Sequence, residues 1–477
     1  MHEREPLTTY YLEDRAHCPI SRTIAGRCAA VAMLALLILA GGCAGREAVA
    51  PSGLERVEHV IVIYMENWSF DGQFGLFPGA NGIANAGDTI RQVRQDGSPY
   101  ATLPQPLFQG QPDSRIPADL PVQPFDLVRY VPRDQLTNSP VHLFYQEQYQ
   151  INGGRMDKFA AWNSAGGDHG GLAMSYYDVT DMPLGRLARQ YTLCDNFFHS
   201  AFGGSWLNHM WLISARTPYW PEAPQDMVAQ LDAHGVLISG TRQDAEITPE
   251  GYAVNTMFAT NPPYPENIPL ERRLPSQTAP TIGDRLSERG ISWAWYSGGW
   301  NDAIAGRPAK LFQYHHQPFA YFAQYAPGMP GRAHLKDEAD FFRELASANF
   351  PAVAFVKPFG DSNEHPGYST FAAGQQQVAT LVKAVQDSPI WPHAVIIVTY
   401  DEHGGRWDHV PPPLIDRWGP GLRVPAVIIS PFARQGFVDH TPYETVSILK
   451  FIETRWGLPP IEERDQQAND LARALDL

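Results

Sequence analysis

Ser205 follows two glycines and opens a run of helix formers in Phe202-Gly203-Gly204-Ser205-Trp206-Leu207-Asn208-His209. Backbone N–H groups at a helix start have no intrahelical acceptor, so an anion is stabilised there and a first-turn hydroxyl faces it. Such a serine suits nucleophilic attack on a phosphate, or it merely caps the helix. No G-x-S-x-G elbow surrounds it, so an α/β-hydrolase is not indicated.

Two further segments carry hard oxygen donors. Glu66-Asn67 follows the apolar run HVIVIY, and Asp401-Glu402-His403-Gly404-Gly405 follows AVIIVTY, with Asp408-His409 shortly after. Carboxylates beside an amide oxygen suit a divalent cation. Glycines in the second loop let backbone approach a ligand closely. Taken singly, Asn67 is also a common turn residue and an acidic pair is often just hydrated. Four loop histidines, His142, His315, His316 and His365, would bind phosphate if protonated or a metal if neutral. Lys357 adds a point charge, and Asp168-His169 is a weaker candidate of the same kind.

These residues need elements to hold them. The runs at 59–64, 291–296, 351–356, 394–400 and 424–430 are continuously apolar and β-rich, which suits strands covered on both faces. A shorter strand is expected over 192–197. Amphipathic helices are expected at 281–288, 339–348, 371–388 and 444–456, and another opens at Leu207. Strands alternating with helices predict an α/β fold, a mostly parallel central sheet with helices on both faces. Chemistry then gathers beyond the carboxyl ends of the strands, where these motifs fall. The segments 87–138 and 220–275 lack periodicity and read as loop-rich insertions. The charged tail over 459–477 reads as a surface helix.

The chain has 477 residues, a net charge of −15 and 44% hydrophobic residues. It is globular, and its acidity argues against nucleic acid as a partner. A phosphate site must therefore be made positive locally. Near the N-terminus, Arg15, Arg22 and Arg27 precede a 12-residue apolar run, Ala29 to Ala40, and then Gly41-Gly42-Cys43. The run is short for a membrane span of about 20 residues. It reads as an export signal over 1–43, either lipidated at Cys43 or cleaved without a lipid. A linker over 44–57 and a single catalytic domain over 58–477 would follow. This places the protein outside the cytoplasm, in a bacterial periplasm or lipid-anchored at the cell envelope. No obligate protein partner is evident. Cys194 alone lies well inside the mature chain, so no disulfide framework forms and the thiol is read as a small buried group.

Together, HVIVIYMENWSFDGQFG, HLFYQEQYQINGGRMDKF, FGGSWLNH, KPFGDSNEHPGYS and TYDEHGGRWDHVPPP resemble the bacterial family of acid phosphatases and phospholipases C, a branch of the alkaline-phosphatase-like superfamily. The resemblance runs from about Glu58 to Trp456. It implies an alkaline-phosphatase-like sandwich, a phosphoserine intermediate and one divalent metal ion, for which Ca, Mg, Mn and Zn stay open. It implies Glu66, Asn67, Ser205, Asp401 and Glu402 as metal ligands, with Ser205 also the nucleophile. His142, His315, His316 and His365 would form the phosphate pocket, with His316 and His365 the catalytic pair and His142 and His315 binding substrate beside Asn208 and Lys357. The Gly-Gly-Ser-Trp segment and the paired His315-His316 are similar to the acid phosphatase branch, so a phosphomonoester substrate is expected; histidines that must be cationic to bind it lose their charge as pH rises, so an acidic optimum is expected too. Phospholipase C is the alternative, and an apolar groove from Trp68, Trp206 and Trp300 would favour it. A sulfatase or phosphonatase of the same fold and a non-catalytic surface-binding protein complete the alternatives.

Overall fold

Apolar runs that cannot face water on either side must be covered on both, and this dictates the centre of the molecule. The structure, a computed structural model, describes residues 53–163, 168–238, 245–347 and 349–477. The expected export signal and most of the expected linker lie outside the described residues. Eight strands form one sheet: β1 (His59–Met65), β2 (Thr192–Cys194), β3 (Trp293–Ser297), β4 (Leu335–Asp337), β5 (Val353–Lys357), β6 (Ala394–Tyr400), β7 (Ala426–Ile429) and β8 (Phe437–Asp439). Their order is β8-β2-β7-β6-β1-β5-β3-β4. β1 pairs in parallel with both β5 and β6, β3 is parallel to β5 and β4, and β8 is parallel to β2. β7 runs antiparallel to its neighbours β6 and β2. The expected α/β class, a mostly parallel sheet with helices on both faces, is the one observed.

The covering helices are α1 (Phe144–Ile151), α2 (Pro183–Gln190), α3 (Ser205–Ser214), α4 (Ile282–Glu288), α5 (Glu338–Leu345), α6 (Phe371–Gln386) and α7 (Thr445–Trp456). α2 and α5 each pack against α6 on one side, while α4 and α7 each pack against α3 on the other. Their starts are set by side chains. Thr281 and Asp284 make a reciprocal capping box on α4, and Thr370 accepts from Ala373 N to cap α6. Every residue of β1 from Val60 to Met65 is fully buried. Each aliphatic side chain there contributes roughly 1.5–3 kcal/mol through burial.

Three local readings differ from the sequence pattern. The strand expected over 192–197 is β2 followed by a separate two-residue strand, Phe197–Phe198. β4 and β8 are three-residue strands at the two edges, too short to give a pattern. The tail is a single short helix, Glu463–Gln467, and a 3-10 turn, Leu471–Ala474, in which Asp465 and Leu471 are buried. It is therefore a packed element. Over 87–138, strand pairing is confined to two-residue strands, as a loop-rich insertion predicts. Cys194 is fully buried in β2, and burial pushes its thiol well up. No helix among the described residues is long and apolar enough to cross a membrane.

The packed tail creates a titratable contact. Glu453 on α7 is buried beside Asp465, and burial first, then the Asp465 carboxyl, push it up to about 9. Between its ordinary value of 4.5 and about 9, the unfolded chain releases this proton and the folded chain keeps it. Stability therefore falls as pH rises through that window. Glu453→Gln should be more stable than the wild type at pH 8, by on the order of 2 kcal/mol, with the gap closing near pH 5. Denaturant melts at the two pH values check this, and an equal gap at both would refute it.

Candidate active site

Strand register brings the acidic motifs together. Met65 at the end of β1 pairs with Tyr400 at the end of β6, so Glu66-Asn67 and Asp401-Glu402 emerge side by side from one rim of the sheet. β5, on the other side of β1, ends at Lys357. Glu66, Asn67, Lys357, Asp401 and Glu402 are all fully buried. Asn67 adopts the left-handed conformation, φ 66°, which turns its amide toward the next loop. Its backbone N–H donates to Asp401 Oδ1 at 3.2 Å.

Ser205 sits at the first residue of α3, and Gly204 holds the cap position. The hydroxyl is thus not spent on capping the helix. It donates to Asn67 Oδ1 at 3.3 Å and keeps 7% exposure. The other end of the Asn67 amide donates to His142 Nε2 at 3.3 Å, because His142 Nδ1 donates to Pro140 O at 2.7 Å. One amide therefore fixes the orientation of both the serine and a histidine. Gly203, at φ 92°, is needed because a Cβ there would lie 2.7 Å from Phe144 N.

The four expected histidines do gather. His142 and His365 keep 19% and 15% side-chain exposure at the mouth and their rings lie 5.9 Å apart. His316 Nε2 contacts Glu66 Oε1, and His315 lies against His316 with ring centroids 4.8 Å apart. Burial pushes His142 and His316 each down to about 4 and lowers His315 and His365 as well. Neutral imidazoles are the resting state of this pocket at pH 7. Two residues escaped the sequence reading. His209, four residues after Ser205 on the same helix, stacks on His316 at 5.5 Å. Its spacing from Ser205 was the available signal. Tyr368 donates to Glu66 Oε2 at 3.1 Å and stacks on His365 at 4.1 Å.

Two expected substrate contacts are engaged elsewhere. Lys357 lies 3.0 Å from Glu66 Oε1 and 3.3 Å from Asp401 Oδ2, fully buried, where it is a counter-ion. Asn208 spends its amide on Ala201 N, Ala201 O and Gly204 O, which braces the turn before Ser205. Asp168 pairs with Arg94 and Tyr100. Asp408 and His409 join Asp71 and Arg423 in a buried network of their own.

Whether these residues fit a cation is a question of charge. Three buried carboxylates face one buried lysine. Burial opposes ionisation of Glu66, yet Lys357 and His316 hold it well below the usual range. Burial pushes Asp401 up to about 6, and burial and Asp401 push Glu402 well up. Glu402 Oε1 is buried and accepts no hydrogen bond among the described residues. His142 Nε2 lies 3.7 Å from it. Uncompensated oxygens of this kind, all hard donors, fit a divalent cation.

Outside this molecule, the sequence matches the Phosphoesterase family over residues 57–459. It is 25% identical over 446 residues to phospholipase C A of Mycobacterium tuberculosis, across 86% of this chain and 74% of that one. It is 24% identical over 445 residues to the non-hemolytic phospholipase C of Pseudomonas aeruginosa, across 85% and 54% of the two chains. Among solved structures, a protein in the alkaline phosphatase superfamily from Vibrio parahaemolyticus is similar with a TM-score of 0.33 and 12% identity, over 71% of this chain and 76% of that one.

Asn67 separates backbone from side-chain roles. Asn67→Gly keeps the left-handed turn, while Asn67→Ala strains it by about 1 kcal/mol more. Both remove the amide from Ser205 and His142. Comparable losses of phosphoric ester hydrolysis, with lower stability in the alanine variant alone, are the expected outcome. Wild-type activity in Asn67→Gly would show that the amide does not position Ser205.

Proposed function

The chain belongs to the Phosphoesterase family and is a phosphoric ester hydrolase, and from that premise we propose that it cleaves phosphomonoesters with Ser205 as nucleophile. The observation that carries this reading is the Ser205 hydroxyl itself. It is oriented by Asn67 at the N-terminus of α3, at the edge of a buried carboxylate cluster and below two part-exposed histidines. Glu66, Asn67, Ser205, Asp401 and Glu402 would hold a divalent cation, whose chemistry when bound is to acidify a hydroxyl and neutralise charge on phosphoryl oxygens.

The chain's own groups divide the remaining work. Ser205 Oγ, its proton released to solvent, attacks phosphorus in line with the leaving oxygen and becomes phosphorylated. N–H groups of the first turn of α3 and, once protonated, the imidazoles of His142 and His315 donate to the equatorial oxygens. His365 or His316 gives a proton to the departing alcohol, and water then releases phosphate from the serine. Imidazoles that burial keeps neutral must be charged by falling pH or by the bound phosphate dianion. An acidic optimum follows, because the protonated forms disappear as pH rises.

The names of the similar proteins support a second reading, phospholipase C. The three tryptophans that would build an apolar groove do not support it. Trp68, Trp206 and Trp300 are at most 2% exposed and belong to the core. The proposal extends to residues 58–477 acting as one catalytic domain behind an export signal.

Assays of the protein from residue 44 onward on p-nitrophenyl phosphate and p-nitrophenyl phosphorylcholine, across pH, test the proposal. Monoester turnover that is highest on the acidic side and at least about 1,000-fold lower in Ser205→Ala is expected. Turnover of the phosphorylcholine ester alone would establish the lipase reading. Activity that survives Ser205→Ala, or that is full at pH 9 and small at pH 5, would overturn the nucleophile or the acidic optimum respectively.

A further inference from the structure

A second convergence of metal-ligating atoms lies behind the first. Glu147 on α1, His199 ahead of the Ser205 turn and His403 just after Glu402 are fully buried, with ligand atoms within 4.8 Å of one another. A comparable cluster, Asp71 with Asp408 and His409, needs nothing more. The Arg423 guanidinium lies among its carboxylates and donates to both. No arginine or lysine ion-pairs with Glu147 among the described residues.

Hydrogen bonds fix the tautomers. His199 Nδ1 donates to Ala201 O at 2.8 Å, so in the neutral ring Nε2 is a bare lone pair. Gln150 Nε2 donates to Val141 O and Trp162 O, so its Oε1 is the acceptor that faces His403 Nε2 at 3.3 Å. That leaves His403 Nδ1 bare. His199 Nε2 is 3.0 Å and His403 Nδ1 3.6 Å from the same oxygen, Glu147 Oε1. His403 Nδ1 is also 3.5 Å from Glu402 Oε2. Neither nitrogen makes a hydrogen bond. Bare nitrogens converging on carboxylate oxygens repel unless a proton or a metal ion lies between them. Ligands about 2.0–2.1 Å from a tetrahedral ion sit roughly 3.3 Å apart, a value that the nitrogen-to-oxygen separations of 3.0, 3.5 and 3.6 Å bracket.

We propose that Glu147, His199 and His403, with Glu402 Oε2 alongside, form a closed site for a zinc-type divalent cation, distinct from the oxygen-lined site at Ser205. Mixed imidazole and carboxylate donors select such an ion, and full burial without an open position makes the site structural. Its place explains what it would hold. Glu147 also accepts the N–H groups of Gly203 and Leu422, so the ion ties α1, the Ser205 turn and the loop after β6 into one unit. Gly421 is required because a Cβ there would lie 2.1 Å from the His199 ring. The inference does not depend on which ester the enzyme cleaves.

The test is zinc content by mass spectrometry together with zinc-edge X-ray absorption, after equilibration with zinc and removal of the excess. Wild-type protein should show a zinc bound by two imidazoles, and His199→Gln should lose about one equivalent with that signature. Asp401→Asn, which removes a charge from the oxygen-lined site and leaves Glu147 and both imidazoles in place, should keep it. If the oxygen-lined site is misread, the imidazole-bound zinc still remains. Equal zinc in wild type and His199→Gln, or oxygen ligands alone in the wild type, would overturn the proposal, leaving His199 as an imidazolium paired with Glu147. Should His199→Gln not fold, the double variant His315→Ala, His316→Ala decides: an imidazole-bound zinc that persists without those rings supports the proposal, and its loss overturns it.

Discussion

Three carboxylates without water are the condition on which this structure depends. Glu66 and the pair Asp401-Glu402 leave adjacent parallel strands and are fully buried. A buried ion costs several kcal/mol unless it is paired. The strands themselves supply one cation, Lys357, from the tip of β5. Register is therefore part of the chemistry. Slipping β6 by one residue against β1 would turn Asp401 to the opposite face and leave Lys357 with one partner. The remaining negative charge makes the rim a receptor for a cation.

The loops that enclose this charge meet backbone to backbone. Gly404 and Gly405 are left-handed, and a Cβ on them would lie 2.2 Å from Asn67 O and 2.4 Å from Val141 O. The loop after β6 is thus clamped between the loop after β1 and the segment carrying His142. Glu364, itself at φ 76°, is held by Tyr400, Gln73 and Gln375 and by Trp68, which donates to its carbonyl. Burial pushes its carboxyl up to about 8. A side chain strained in the left-handed region persists because four partners hold it, and it sets the direction of His365 next to it.

The sheet core was legible because β1, β3, β5, β6 and β7 are runs of apolar residues, a pattern that burial on both faces imposes. β4 and β8 were not, since three edge residues carry no period. The residue types at the site were readable in the same way, as polar groups just past apolar strands. Directions were not. Lys357 and Asn208 look like substrate contacts in sequence; in the structure Lys357 pairs with Glu66 and Asp401, and Asn208 braces the turn before Ser205. Glu147 lies inside the HLFYQEQYQINGGRMDKF segment without standing out from it, and His199 gave no signal. A lone acid on an amphipathic helix and a lone histidine in a loop acquire meaning only when His403, more than 200 residues away, closes on them.

An enzyme of net charge −15 that acts on phosphate has to build its attraction at short range. The described site offers helix N–H groups, imidazoles that burial keeps neutral, and a carboxylate cluster lacking positive charge. None of these repays desolvating a phosphate until a cation and protons arrive. A monoester exposes three non-bridging oxygens and up to two charges, whereas a diester exposes two oxygens and one charge. Every cation or proton added here therefore favours the monoester more. With the neighbouring tryptophans committed to the core, no apolar surface from them compensates a lipid for that difference. Charge, more than shape, is the basis on which this site would choose its ester.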